Sequence, residues 1–345
     1  MLKFAIVGLG GLGKSHLTFY FNVKKHKDVE LVALCDIDPE QLQKKVELNI
    51  GTATVPVDLS QYHLYTDMDE MLEKESLDFI ITAVPTYLHA ELAVKAMDKG
   101  IHVFSEKPMA LNLEQCQSMV DAAKRNNVKL QIGQCIRFSP QYQCLRDLVR
   151  SGKYGKVIRA EFTRISAAPL WSWNNWFMNF DMSGGAVLDL HVHDVDFVQW
   201  TFGMPKSVMS MASHYESGFD AITSNYGYDG FYVTTMTDWS LAPGYPFTTS
   251  GIVSCEGATI VLSQDEHACV SVFERGVNDG KSNIHHIPTY NEGDLNYYEL
   301  EMIEFIDCIE KKRDSDIISA ESTMDSIRLA LIEQESANKG EKVYV

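Results

Sequence analysis

Leu2-Lys3-Phe4-Ala5-Ile6-Val7-Gly8-Leu9-Gly10-Gly11-Leu12-Gly13 decides the fold. A short apolar strand breaks directly into a G-x-G-x-x-G loop, and Leu12 to about Lys25 then reads as a helix. The next strand, Glu30 to Asp36, is apolar at its core and ends in an acid. The glycine string alone is weak, but strand, glycines, helix and acid in this order describe a dinucleotide site. Gly8 permits the tight turn, Gly10 lets backbone approach a pyrophosphate, and Gly13 allows close packing of helix on strand, with Gly11 and Leu12 completing the loop. The helix N-terminus turns its N–H groups and partial positive charge toward phosphate. Asp36, 23 residues after Gly13, is placed for the adenosine ribose hydroxyls. It is followed by Ile37-Asp38-Pro39, with no Arg or Lys to receive a 2′-phosphate, so NAD is favoured and NADP less so.

Outward from this loop the alternation continues. Asp38 with Pro39 and Gln41 forms a capping-box pattern that predicts a helix to about Asn49. Leu77 to Val84 reads as a buried strand, Tyr87 to Lys99 as a helix stopped by Gly100, and Ile101 to Phe104 as a strand. A helix over Asn112 to Asn126 and a strand over Val128 to Ile132 follow. Such alternation means right-handed β-α-β units and a parallel sheet. After Gly133 the pattern changes. Ser139-Pro140 opens a helix that ends near Gly152. Strand-like segments then fall near 156–166, 206–216, 230–240, 248–254, 258–263 and 269–274, with a helix near 185–202 and two more at the end. The fold class expected is α/β: a Rossmann doubly wound parallel sheet over 1–133, then an α+β domain with a large, mostly antiparallel sheet over 134–345, for substrate binding and oligomerisation.

The 345 residues exceed an ordinary single core. With 47 acidic against 30 basic residues the net charge is −17, which disfavours nucleic acid and anionic lipid as partners. No apolar stretch approaches the roughly 20 residues that span a bilayer. The glycine-broken start does not read as a signal peptide. The seven Cys are odd in number and show no C-x-x-C, which suits buried thiols in a reducing cytoplasm.

Two segments carry chemistry. Glu106-Lys107-Pro108 ends a parallel strand, the end where open α/β sheets bind ligands. Read alone, Lys107 is more commonly a solvated surface lysine. Further on, Ser183-Gly184-Gly185 leads into a helix on which Asp189, His193 and Asp196 fall at i, i+4 and i+7 and share one face. An Asp one turn from a His can orient it as a proton acceptor, although a lone His of this kind is more often a core or capping residue. His191 and His193, two apart, point in different directions and make a poor metal site. His285-His286 is expected in a surface loop.

Together these segments resemble the Gfo/Idh/MocA family of glucose–fructose oxidoreductase and inositol dehydrogenase. The resemblance runs through the Gly8–Gly13 loop and Asp36, Ala83-Val84-Pro85-Thr86-x-x-His89, Gly100-Ile101-His102-Val103-x-x-Glu106-Lys107-Pro108, Gln134-x-x-Arg137-Phe138, the Gly184-Gly185 helix and Asn296-Tyr297-Tyr298-Glu299-Leu300. It implies Lys107, Asp189 and His193 as catalytic residues. It adds Pro85, His89, Glu106, Lys107 and Gln134 to the cofactor site. Substrate contacts would come from Lys107, Arg137, Trp176, Asp189 and His193. It further implies NAD, a sugar or polyol substrate, hydride transfer and a homodimer or homotetramer. His191 departs from the Gly of many relatives, so its role stays open between narrowing the pocket and contacting substrate. Trp171 to Phe177 reads as ordinary core or as a sugar-stacking surface. Redox-neutral glycosidases and non-catalytic dinucleotide-binding regulators share the scaffold and remain alternatives, as does a dihydrodiol or biliverdin-like ligand.

Overall fold

The computed structural model describes residues 1–43, 45–50, 53–262, 268–276, 283–288 and 295–345. In the first unit the apolar runs become strands. These are β1 (Leu2–Val7), β2 (Val29–Cys35), β3 (Lys45–Ile50), β4 (Ala53–Asp58), β5 (His63–Tyr65), β6 (Phe79–Thr82), β7 (His102–Glu106) and β8 (Leu130–Gly133). Helices α1 (Gly11–Val23), α2 (Met68–Lys74), α3 (His89–Met97) and α4 (Leu113–Asn126) lie between them. Six strands form a parallel sheet in the order β5-β2-β1-β6-β7-β8. The chain order reverses between β1 and β6, and every carboxyl end of the sheet lies on one edge, which is where such sheets open a crevice.

One expected helix is absent. Pro39–Leu42 make a short 3-10 turn, with Asp38 accepting the Glu40 N–H at 2.9 Å. Gln41 does not return to the cap; it accepts a hydrogen bond from Lys14 Nζ at 3.0 Å. The helix predicted through Asn49 is instead the antiparallel hairpin β3–β4. Val46-Glu47-Leu48-Asn49-Ile50 alternates apolar and polar with period two, and Thr54, Val55 and Val57 supply β-branched residues to the second arm. That strand signal outweighs the cap.

The second unit carries α5 (Pro140–Arg150), β9 (Val157–Ala167), α6 (Phe180–Ser183), a π turn (Val187–His191) and α7 (Val192–Phe202). Strands β10 (Ser207–His214), β11 (Phe219–Gly227), β12 (Tyr232–Leu241), β13 (Thr248–Cys255), β14 (Ala258–Leu262), β15 (Ala268–Glu274) and β16 (Asn283–Pro288) follow. After them come α8 (Tyr297–Glu310), α9 (Ala320–Lys339) and β17 (Val343–Tyr344). Nine strands form one sheet in the order β16-β15-β14-β13-β9-β12-β11-β10-β17, parallel between β9 and β12 and antiparallel elsewhere. Along β12, Val233, Thr235, Thr237 and Trp239 are buried while Tyr232, Met236 and Ser240 are exposed, so one face is covered and the other open. Helix α7 packs on the covered face, with Phe197 edge-on to Phe162 at 5.2 Å. Strands β11 and β16 were not anticipated, and His285 and His286 lie exposed on β16 rather than in a loop.

The second unit is not the uninterrupted stretch 134–345. Ser172–Trp176 and Tyr298–Met324 are compact with Met1–Gly133. The reason is apolar: Phe305 of α8 sets its ring edge-on to Phe79 and Phe104 at 5.6 and 5.7 Å, and Met302 and Ile306 are buried in the same core. No helix among the described residues is long and apolar enough to cross a membrane.

The core of this unit also encloses the acid Glu301. Glu301 of α8 is fully buried, and burial, reinforced by the Glu106 carboxylate, pushes its carboxyl well above the ordinary 4.5. Its protonated form is favoured over that of an exposed carboxyl. A proton held more tightly in the folded state contributes stability below the unfolded value, and that contribution is lost as pH rises toward the folded one. Glu301→Gln should therefore gain on the native protein as pH is raised from 5 to 8, measured by urea unfolding midpoints; a gap that narrows instead would show Glu301 ionised.

Candidate active site

The glycine loop is the tightest place in the first unit. A Cβ on Gly13 would stand 1.8 Å from the Gly8 carbonyl oxygen, and one on Gly8, at φ +90°, would stand 2.5 Å from the Ala83 carbonyl oxygen. Gly10 is the opposite case, because a Cβ there would meet nothing within 4 Å. No side chain caps α1, so its N-terminal N–H groups face this open space. Close packing at Gly8 and Gly13 with clearance at Gly10 is the cradle a pyrophosphate requires. Asp36 holds the loop from the next strand: one carboxylate oxygen accepts the Leu9 N–H at 2.6 Å and the other the Asp38 N–H at 2.9 Å. Pro85 begins the 3-10 turn after β6 on the same sheet edge.

Glu106 and His89, both expected at the cofactor, are buried and hydrogen-bonded within the first unit. Glu106 is buried, and one of its oxygens meets His16 Nε2 of α1 at 2.6 Å. The other accepts the Lys107 N–H at 3.2 Å, and Gly133 leaves room for the carboxylate. His89 is buried with Nδ1 at 2.7 Å from the Pro108 carbonyl and Nε2 at 2.9 Å from that of Val84. Burial holds His89 below its ordinary range, and the two carbonyls pull the other way. His16 and Glu106 thus meet behind Lys107, and His89 ties the backbone of Val84 to that of Pro108. Lys107 itself is half-buried. Sequence reasoning did not single out His16, whose only signal was a polar residue at a buried helical position.

In the second unit, Gly184 and Gly185 adopt φ of +75° and +66° and lead into the π turn. Such turns are rare and gather at functional sites. Asp189 and His193 are half-buried. Asp196, expected on their face, is instead buried: its carboxylate pairs with Arg137 Nε and Nη2 at 2.8 and 2.7 Å and accepts from Ser326 Oγ at 2.7 Å. The π turn ends at His191, so Asp196 sits on a regular turn of α7 and is drawn inward by Arg137 and Ser326. Arg137, expected at the substrate, is accordingly 1% exposed and engaged inside the unit. His191, expected in the pocket or at the substrate, is also buried, between Thr237 and Glu333. Gln134 is buried with neither end of its amide hydrogen-bonded among the described residues, the condition of a group that a ligand or water completes. Trp176 is half-buried in the 3-10 segment Trp173–Met178, where Asn174 and Asn175 take positive φ.

The contrast between glycines gives a test. Gly10→Ala should fold with an unchanged melting temperature yet lose at least about tenfold in NAD affinity by calorimetry, because a methyl group enters the phosphate space. Gly13→Ala should lose both. A Gly10→Ala protein that binds NAD normally would remove the cradle reading.

Residues 2–134 match the model of an oxidoreductase family with an NAD-binding Rossmann fold, and residues 142–261 match the Gfo/Idh/MocA C-terminal domain. The 2,7-anhydro-N-acetylneuraminate hydratase of Escherichia coli is 29% identical over 209 residues, covering 60% of this chain and 52% of that protein. The chain thus spans about half the length of that relative. The D-glucoside 3-dehydrogenase of E. coli is 29% identical over 301 residues, covering 85% of this chain and 80% of the other. Levoglucosan dehydrogenase, solved with NADH and L-sorbose, shares the fold with a TM-score of 0.85 at 17% identity, covering 100% of this chain and 98% of that one. The chain belongs to the Gfo/Idh/MocA oxidoreductase family, and its first unit is an NAD-binding Rossmann fold.

Proposed function

We propose that the protein is an NAD-dependent dehydrogenase acting reversibly on a secondary alcohol of a sugar, inositol or related polyol. The observation that carries this reading is the sorting of polar residues along 187–202. His191, Asp194 and Asp196 turn inward to buried partners, while Asp189 and His193, one turn apart, remain half-buried. Bound NAD supplies the hydride acceptor. Gly8, Gly10, Gly11, Leu12 and Gly13 hold its phosphates, Asp36 its adenosine ribose, and Pro85 and Gln134 flank it. Asp36 keeps a negative charge where NADP carries a 2′-phosphate, so NAD is preferred.

His193 accepts the hydroxyl proton as general base. Asp189 orients His193 or the substrate. Lys107, fixed through its backbone by Glu106, places a cation where alkoxide charge develops. Trp176 offers the sugar an apolar surface. On the second unit's sheet, the open face, with Tyr232, Met236 and Met211 exposed, is the contact through which copies associate into a dimer or tetramer. Light scattering should return a multiple of 38.9 kDa, and a clean monomer would remove that contact.

The principal test follows NADH at 340 nm across inositols, aldoses, sugar acids and glycosides, with NAD and NADP compared. His193→Ala and Lys107→Ala should each lower turnover by at least about 100-fold while leaving NAD affinity nearly intact, the scale of general acid–base help. Losses under about tenfold for both would sink the assignment. A redox-neutral reaction is the second reading, favoured by the hydratase relative. Substrate conversion with no net NADH would select it.

A further inference from the structure

The buried histidine of the π turn has no part in the proton transfer proposed above, yet both of its ring nitrogens are engaged by buried side chains. His191 is fully buried, with Nδ1 2.6 Å from Thr237 Oγ1 on β12 and Nε2 3.0 Å from Glu333 Oε1 on α9. Tyr226 of β11 also donates its hydroxyl to Glu333 Oε1, and Thr235 donates to the Tyr226 hydroxyl at 3.2 Å. Glu333 Oε1 thus lies within hydrogen-bond distance of both Tyr226 and His191. Thr237 and Glu333 therefore grip the imidazole at both ends.

A buried pair of this kind seldom adds net stability, because an apolar side chain of similar volume fills the space at least as well. What directional hydrogen bonds supply is orientation. Residues two apart on a helix point roughly 160–200° away from each other, with a π turn at the low end. Fixing the ring of His191 into the sheet thus fixes the rotation of the turn about its axis. Asp189 and His193, each two residues away, are aimed to the opposite side. We propose that His191, held by Thr237 and Glu333, is a positioning residue that sets the direction in which Asp189 and His193 are presented. This rests on the dehydrogenase reading for its catalytic consequence, though not for its geometry.

The test uses the full chain. His191→Ala should lower kcat by about 10- to 100-fold, the scale of a misplacement near 1 Å, with NAD affinity and substrate KM changed by less than about threefold. Glu333→Ala should do the same. Glu333→Gln keeps an oxygen that accepts from His191 and Tyr226, and should keep kcat within about threefold of the native value. A readout independent of turnover is the ring proton resonance of His193 in the NAD-free protein at fixed pH: His191→Ala should displace it and Glu333→Gln should leave it in place. If His191→Ala does not fold, Thr237→Val and Glu333→Ala each release one end of the grip. Loss of melting temperature with unchanged kcat per folded molecule and an unmoved His193 signal would overturn the proposal. A displaced His193 signal in a protein that oxidises no alcohol would uphold the positioning and discard the dehydrogenase reading alone.

Discussion

The carbonyl of Gly8 and the α-carbon of Gly13 approach so closely that no side chain fits at position 13. This contact sets α1 against β1, and the rest of the carboxyl edge depends on it. It aims the uncapped helix start at the open space beside Gly10. It brings Leu9 under the Asp36 carboxylate. It also carries His16, one turn further along α1, to the buried Glu106 at the end of β7. A displacement of α1 by the width of a methyl group would disturb the phosphate cradle and the support of Lys107 together.

Both units place a half-buried polar side chain proposed for the chemistry near buried, hydrogen-bonded polar groups. Behind Lys107 stand Glu106 and His16, with His89 bridging the backbone of Val84 and Pro108. Behind Asp189 and His193 stand His191, Thr237 and Glu333, and further along the helix Arg137 holds Asp196 and Arg164 holds Asp194. Apolar packing is non-directional and tolerates small rotations. Charge-assisted hydrogen bonds in a low-dielectric interior do not. Catalysis needs reacting groups held within a fraction of an ångström, so rigid polar supports behind them are the physical expectation.

Along the chain, legibility followed the range of the interactions. The β1–α1–β2 segment and Asp36 were readable because strand, turn and helix there are set by residues a few positions apart, and glycine at Gly8 and Gly13 has a steric cause. The hairpin β3–β4 follows two competing local signals, the Asp38 cap and the period-two alternation after it, and the alternation prevails.

Composition, periodicity and the glycine spacing by themselves determined the parallel sheet, the mostly antiparallel second sheet, the dinucleotide loop and the short list of polar residues able to do chemistry. They could not sort that list. Arg137, His89, Glu106 and His191 are candidates by sequence, and the tertiary structure gives each a buried partner distant in sequence: Asp196, Pro108, His16 and Glu333. The α8 helix, likewise, joined the first unit because its apolar face meets Phe79 and Phe104, more than 190 residues earlier in the chain. Local sequence sets which way a backbone turns; whether a polar side chain meets solvent or a buried partner is decided only when distant elements close around it.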